Sequence, residues 1–101
     1  MREEKMKNSV VKLGAKLFKA LGNEKRLEIL FNLLNKELNV GELEKLVDLS
    51  QSALSQHLAV LRGGDIVKTR RVAQTIFYSI KSEKVIKVLN FIKKLYNTPC
   101  Y

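Results

Sequence analysis

Tryptophan is absent from this 101-residue chain, and cysteine, proline and histidine occur once each. One cysteine, Cys100, leaves no partner for an internal disulfide, and a single thiol fits a reducing cytosol, so a cytoplasmic protein is expected. A lone histidine, His57, cannot build a metal site by itself. Four phenylalanines and three tyrosines are too few for a platform on which single-stranded bases stack. No apolar run approaches the ~18 residues a membrane-spanning helix needs, so no membrane partner is expected. The opening residues, Met1 to Asn8, are charged and have no apolar centre, which argues against a signal peptide. A glycine-rich phosphate loop, a Cys–His pair at catalytic spacing and a carboxylate cluster are all missing. No enzyme, no cofactor and no metal is therefore expected.

What the chain has is positive charge. Nineteen Lys and Arg face ten Asp and Glu, a formal net charge of +9. Such an excess favours an anionic partner, nucleic acid first and an anionic membrane surface second. The length is that of one domain, taken as residues 1–101.

Helical periodicity dominates the first half. A first helix is expected from about Lys7 to Leu21, after a charged tail. Met6, Val10, Leu13, Leu17, Ala20 and Leu21 form one stripe on it, and Val11 and Phe18 lie on another face. Gly22-Asn23 breaks that helix, and Asn23 can cap a second running to about Asn35. The second helix is apolar around much of its girth, so it belongs at the centre. Lys36 to Asn39 reads as a connector. Asn39 can cap a short third helix, Val40 to Val47, packed through Val40, Leu43, Leu46 and Val47. Asp48-Leu49-Ser50 is a tight turn into a fourth helix capped by Ser50, which makes the pair a helix-turn-helix.

The fourth helix, Gln51 to Arg62, has two contrasting arcs. Leu54, Leu58 and Leu61 share one. Ser52, Ser55, Gln56 and Ala59 share the other, with no acid or lysine among them. A helix that merely meets water normally carries charge on its outer face. Small residues permit close approach, and Ser and Gln can donate to and accept from base edges in the major groove. Gln51, Ser52, Ser55 and Gln56 are therefore the candidate base readers. His57 lies on the leucine side and reads as a structural residue at the core edge.

Gly63, Gly64 or Asp65 can take the left-handed conformation that ends a helix. Two β-like runs follow, Ile66–Arg71 and Thr75–Ile80, joined closely enough to pair as a hairpin. Lys68, Arg70 and Arg71 climb toward its tip. A basic hairpin directly after a reading helix is a wing; Arg62 at the helix end and Lys68, Arg70 and Arg71 on the wing are candidate phosphate or minor-groove contacts, with Gln74 at the wing's turn a further DNA contact. Ser82 can cap a last helix, Glu83 to about Tyr96, ended by Asn97 and Pro99. The fold class expected is mainly α with a β-hairpin wing. The terminal helices, about 7–21 and 83–96, carry more apolar surface than a small core can cover. Val10, Leu13, Leu17, Val85, Leu89, Ile92 and Tyr96 are the candidate dimer contacts.

With these elements in order, the chain resembles the ArsR/SmtB winged helix-turn-helix repressors over nearly its whole length. Residues 20–30, ALGNEKRLEIL, look like that family's second-helix entry, and residues 49–61, LSQSALSQHLAVL, are similar to its recognition helix. Residues 37–43, ELNVGEL, and 73–78, AQTIFY, carry a closer likeness to the HlyU/BigR branch. The resemblance implies a homodimer that binds an inverted repeat in double-stranded DNA and represses, or otherwise controls, nearby promoters. Such repressors often have a Gly at the position of Asp65, which implies a left-handed conformation there. Members that bind soft metals do so through a Cys-x-Cys pair, and the matching positions here are Asn39 and Gly41. Members that bind zinc on the last helix use Asp and His, neither of which occurs from Ser82 onward. The HlyU/BigR branch typically carries one thiol on the second helix and one near the C-terminus. Those positions here are Phe31 and about Asn97, with Cys100 three residues beyond, so Cys100 is the candidate redox thiol. An inert thiol and an intersubunit disulfide are its other readings. The competing function is a protein-interaction module that kept the winged fold without specific DNA binding.

Overall fold

The computed structural model describes residues 2–96, with side chains described from Asn8 onward. Cys100, Asn97 and Pro99 lie outside the described residues, as does the side chain of Met6. Five helices and three strands follow one another as α1 (Arg2–Leu21), α2 (Glu24–Leu33), β1 (Leu38–Asn39), α3 (Val40–Leu46), α4 (Gln51–Gly63), β2 (Val67–Val72), β3 (Thr75–Ile80) and α5 (Glu83–Tyr96). The strands form one antiparallel sheet in the order β1-β3-β2. Helix-turn-helix α3–α4 followed by the β2–β3 hairpin is a winged helix-turn-helix, the expected class.

The helix starts are built by local chemistry. Asn23 Oδ1 accepts from Arg26 N at 3.0 Å and opens α2. Asn39 and Glu42 form a reciprocal capping box on α3, with bonds of 2.8 and 3.0 Å. Ser50 Oγ accepts from Ala53 N at 3.1 Å to start α4, and Ser82 Oγ accepts from Val85 N at 3.2 Å at the start of α5. Each such cap contributes about 1 kcal/mol. Asp65, with φ 58°, takes the left-handed turn after α4 as expected.

One core joins all the helices. Helix α2 contributes most to it, burying Ile29, Leu30, Phe31 and Leu33. Against it lie Leu43 and Val47 from α3, Leu54, Leu58 and Leu61 from α4, Ile66 and Val67 at the wing's root, and Val85 and Leu89 from α5. Fully burying a side chain of this size contributes roughly 1.5–3 kcal/mol, so the three leucines of α4 anchor its inner face firmly.

Several boundaries differ from the sequence expectation. Helix α1 starts at Arg2 rather than near Lys7, because residues 2–7 are Arg, Glu, Lys and Met, all strong helix formers. Helix α2 ends at Leu33, and Asn35 turns the chain with φ 67°. The connector contains a strand: Leu38 pairs with Tyr78 and Asn39 with Phe77. Two residues are too few for an alternating pattern to register. Leu46 is half exposed rather than packed, while Val47 is fully buried. The hairpin starts one residue later than expected and turns through Ala73-Gln74, with Ala73 at φ 55°. A positive φ at the first turn residue matches the twist of two-residue hairpins.

Candidate nucleic-acid interface

The turn after Val47 sets α4 so that its two arcs separate cleanly. Leu54 and Leu61 are completely buried and Leu58 nearly so, whereas Gln51, Ser52, Ser55, Gln56 and Ala59 are all exposed. None of those exposed polar side chains is tied to another group among the described residues. The acids nearest in sequence are Asp48, in the turn before α4, and Asp65, in the turn after it, so the helix itself carries none.

His57 is half-buried at the core edge, as its place in the sequence suggested. Its Nδ1 lies 3.4 Å from a terminal nitrogen of Arg26. A guanidinium offers only donors, so Nδ1 accepts in this contact. Arg26 also donates through Nε to Ala20 O at 2.6 Å and through its other terminal nitrogen to Lys19 O at 3.1 Å. One side chain thus ties the end of α1, the start of α2 and the middle of α4 together.

The wing has two chemically different faces. Successive side chains along a strand point to opposite sides. Val67, Thr69 and Arg71 pair with Ile80, Tyr78 and Ile76 on the side that continues the core. Lys68 and Arg70 pair with Ser79 and Phe77 on the other. The neighbours Arg70 and Arg71 therefore point apart. Arg71 is exposed near the tip, with no bond among the described residues. Arg70 reaches back across the sheet, donating from Nε to Glu37 Oε2 at 2.9 Å and from a terminal nitrogen to Oε1 at 2.7 Å. Its guanidinium carbon sits 5.2 Å from the centre of the Phe77 ring. The hydrogen bond from Arg70 holds the Glu37 carboxyl below its ordinary range, and the charges of Arg70 and Lys68 add to that. The pair is solvent-exposed.

Two shallow clefts border the sheet. One of about 380 Å³ runs between α4 and the sheet, lined by Ser55, Leu58, Ala59, Arg62, Gly63, Val40 and Tyr78. Arg62, in the last turn of α4, thus lies on the side facing the wing. A second cleft, between the start of α3 and the wing's turn, is lined by Gln74, Thr75 and Ile76 together with Asn39, Val40 and Gly41. Tyr78 and Glu37 were not among the sequence candidates. Glu37 lies 33 residues from its partner, and Tyr78 reads in sequence as one more strand aromatic.

The terminal helices divide differently from the expectation. Val85 and Leu89 have no exposed surface even in the isolated chain, so they belong to the core and present nothing to a partner. Leu17 and Ile92 are half-buried against that core. The exposed apolar residues are Val10, Val11, Leu13 and Phe18 on α1, and Phe91, Leu95 and Tyr96 on α5. Of the expected α5 contacts, Tyr96 is thus exposed, Ile92 is half-buried, and Val85 and Leu89 are covered by the chain itself.

Two of the positions at which the resemblance implies thiols are used otherwise here. Asn39 is spent on the α3 capping box, and Phe31, at the second-helix thiol position, is packed in the core. No described helix is long and apolar enough to cross a membrane.

Comparison with known proteins gives one consistent answer. The family model described as bacterial regulatory protein, arsR family, matches residues 23–69. The chain is 52% identical over 80 residues to the transcriptional activator HlyU of Vibrio cholerae serotype O1, covering 79% of this chain and 74% of that protein. Among solved structures, reduced HlyU from Vibrio cholerae N16961 superposes with a TM-score of 0.85 at 46% identity, covering 94% of this chain and 99% of the other. The transcriptional repressor BigR from Xylella fastidiosa superposes with a TM-score of 0.84 at 35% identity, covering 95% and 96%.

Proposed function

The chain belongs to the arsR family of bacterial regulatory proteins, in its HlyU/BigR branch, and from that premise we propose that it works as a homodimer reading an inverted repeat in double-stranded DNA. It is a DNA-binding transcriptional regulator and not an enzyme. In the proposed assembly the exposed apolar residues of α1 and α5, among them Val10, Leu13, Phe91, Leu95 and Tyr96, meet their copies. That pairing sets the two α4 helices one DNA turn apart, about 34 Å. Gln51, Ser52, Ser55 and Gln56 read base edges. Arg62, Lys68, Arg71 and Gln74 meet sugar and phosphate. Its relatives are bacterial, and a regulator of that kind working on DNA would act in the cytoplasm.

The observation that carries this reading is the outer arc of α4. It is exposed, polar and uncharged, and is flanked by the exposed cations Arg62 and Arg71. A module retained only for protein contacts has no use for that combination.

The test is selection of duplexes from a random pool, followed by titration of variants on the selected site. Gln56→Ala is expected to lose discrimination at particular base pairs, by about 1–3 kcal/mol for each bidentate contact removed. Arg71→Ala is expected to weaken selected and random duplex alike and to flatten the salt dependence. No enrichment of any inverted repeat over random duplex would sink the reading.

A further inference from the structure

We propose that Arg70 is a positioning residue that straps the wing to the body through Glu37 and does not itself touch DNA. The inference rests on the DNA-binding reading above, and it divides the wing's adjacent arginines into two roles. Arg70 leaves β2, passes over Phe77 on the central strand β3 and ends on Glu37, just before β1. It therefore runs from β2 across β3 to the residue that leads into β1. The ladder beneath it is weak on one side, because β1 and β3 share only the pairs Leu38–Tyr78 and Asn39–Phe77. The strap adds a side-chain tie where the backbone supplies little.

The geometry also opposes release of Arg70 to a phosphate. One edge of its guanidinium, Nε with a terminal nitrogen, is held by a single carboxylate, the bidentate arrangement in which arginine pairs best. Moving it to DNA would abandon a bidentate bond and the ring beneath. It would also leave Glu37 ionised and unpaired beside a polyanion, a like-charge contact. While the pair stands, Glu37 cancels Arg70, so the outer face of the wing offers Lys68 as its free cation among the described residues. Arg71, on the opposite face and without a partner there, is the one available to phosphate.

Salt dependence separates the roles, because each phosphate contact contributes about 0.9 to the slope of log affinity against log salt, or about 1.8 for two copies in a dimer. The full-length protein is titrated by fluorescence anisotropy on the selected duplex and on random duplex across a salt series. Arg70→Ala and Glu37→Gln should each weaken binding to the selected duplex by roughly fivefold, the range of an exposed ion pair, and leave the slope at the wild-type value. The charge-reversed double variant E37R/R70E should restore affinity. Arg71→Ala should lower the slope by about 1.8. Circular dichroism melts verify that the variants fold, which is expected because the pair is exposed.

The strap is overturned if Arg70→Ala lowers the slope as Arg71→Ala does, if Glu37→Gln tightens binding, if the reversed pair fails to rescue, or if Arg70→Ala changes nothing. If Arg71→Ala leaves the slope untouched while Arg70→Ala weakens and the reversed pair rescues, the strap stands and the phosphate role of the wing tip falls. Absence of any selected duplex defeats the DNA reading and the strap's proposed purpose together.

Discussion

Helices α4 and α5 are nearly equal in length and start alike, each with a serine hydroxyl accepting from the third residue on. Both bury aliphatic side chains in the same core, Leu54, Leu58 and Leu61 from one and Val85 and Leu89 from the other. They differ in what is left over. The outer face of α4 is Ser52, Ser55 and Gln56. The outer face of α5 carries Phe91 and Leu95, each 61% exposed. An inner face reports only that a helix packs. In the proposed assembly the residual face sets what each helix meets next: polar, hydrogen-bonding edges for α4 and apolar surface for α5.

The largest effect separates the inner and outer faces of α5. Leu89→Ala is expected to cost about 2–5 kcal/mol of unfolding free energy, because it empties a site with no exposed surface. Phe91→Ala, three-fifths exposed, should stay within about 0.5 kcal/mol when measured on the monomer. Denaturant titration at low protein concentration checks both, and equal costs would erase the distinction between core and outer face.

The next effect bears on assembly. Replacing Phe91 and Leu95 by glutamate should leave the helical signal intact, shift sedimentation from dimer to monomer and abolish high-affinity operator binding. Charge placed in an apolar interface must be desolvated without a partner. A variant that still sediments as a dimer would remove this face from the proposed interface.

The smallest effect compares the two caps. Ser50→Ala and Ser82→Ala should each cost about 1 kcal/mol of stability. Only Ser50→Ala should also weaken sequence discrimination, since Gln51 and Ser52 lie in the turn that it orders. Equal losses of discrimination in thermal-melt-matched conditions would mean that the cap of α4 has no special part in reading DNA.

Much of the candidate site was legible because it is local. The spacing of Leu54, Leu58 and Leu61 implies the arc that Ser52, Ser55 and Gln56 must occupy, whatever surrounds the helix. The capping residues Asn23, Asn39 and Ser50 act within three positions of themselves. Alternation in Thr75–Ile80 marks a strand without knowledge of its partner. The left-handed turn at Asp65 is likewise a property of the chain next to a helix end.

What remained hidden depends on distance along the chain. On α5, Val85, Val88, Leu89, Ile92, Leu95 and Tyr96 make one continuous apolar arc in sequence. Periodicity says that all of it avoids water, but not where the core stops and the outer face begins. Strand β1 exists because β3 lies beside it, and Leu38-Asn39 is too short to announce itself. Arg70 and Arg71 are indistinguishable as letters. Pleating sends them to opposite faces, and only the fold brings Glu37, 33 residues away, under the first of them.

By itself, then, the sequence determined the order of the helices and of the hairpin strands, the bias toward an anionic partner and the polar arc of α4, since each follows from composition or from spacing within a few residues. The tertiary structure alone decided which apolar residues are core, which arginine is tied down and which is free. Those are questions of which distant groups become neighbours, and no local pattern contains that information.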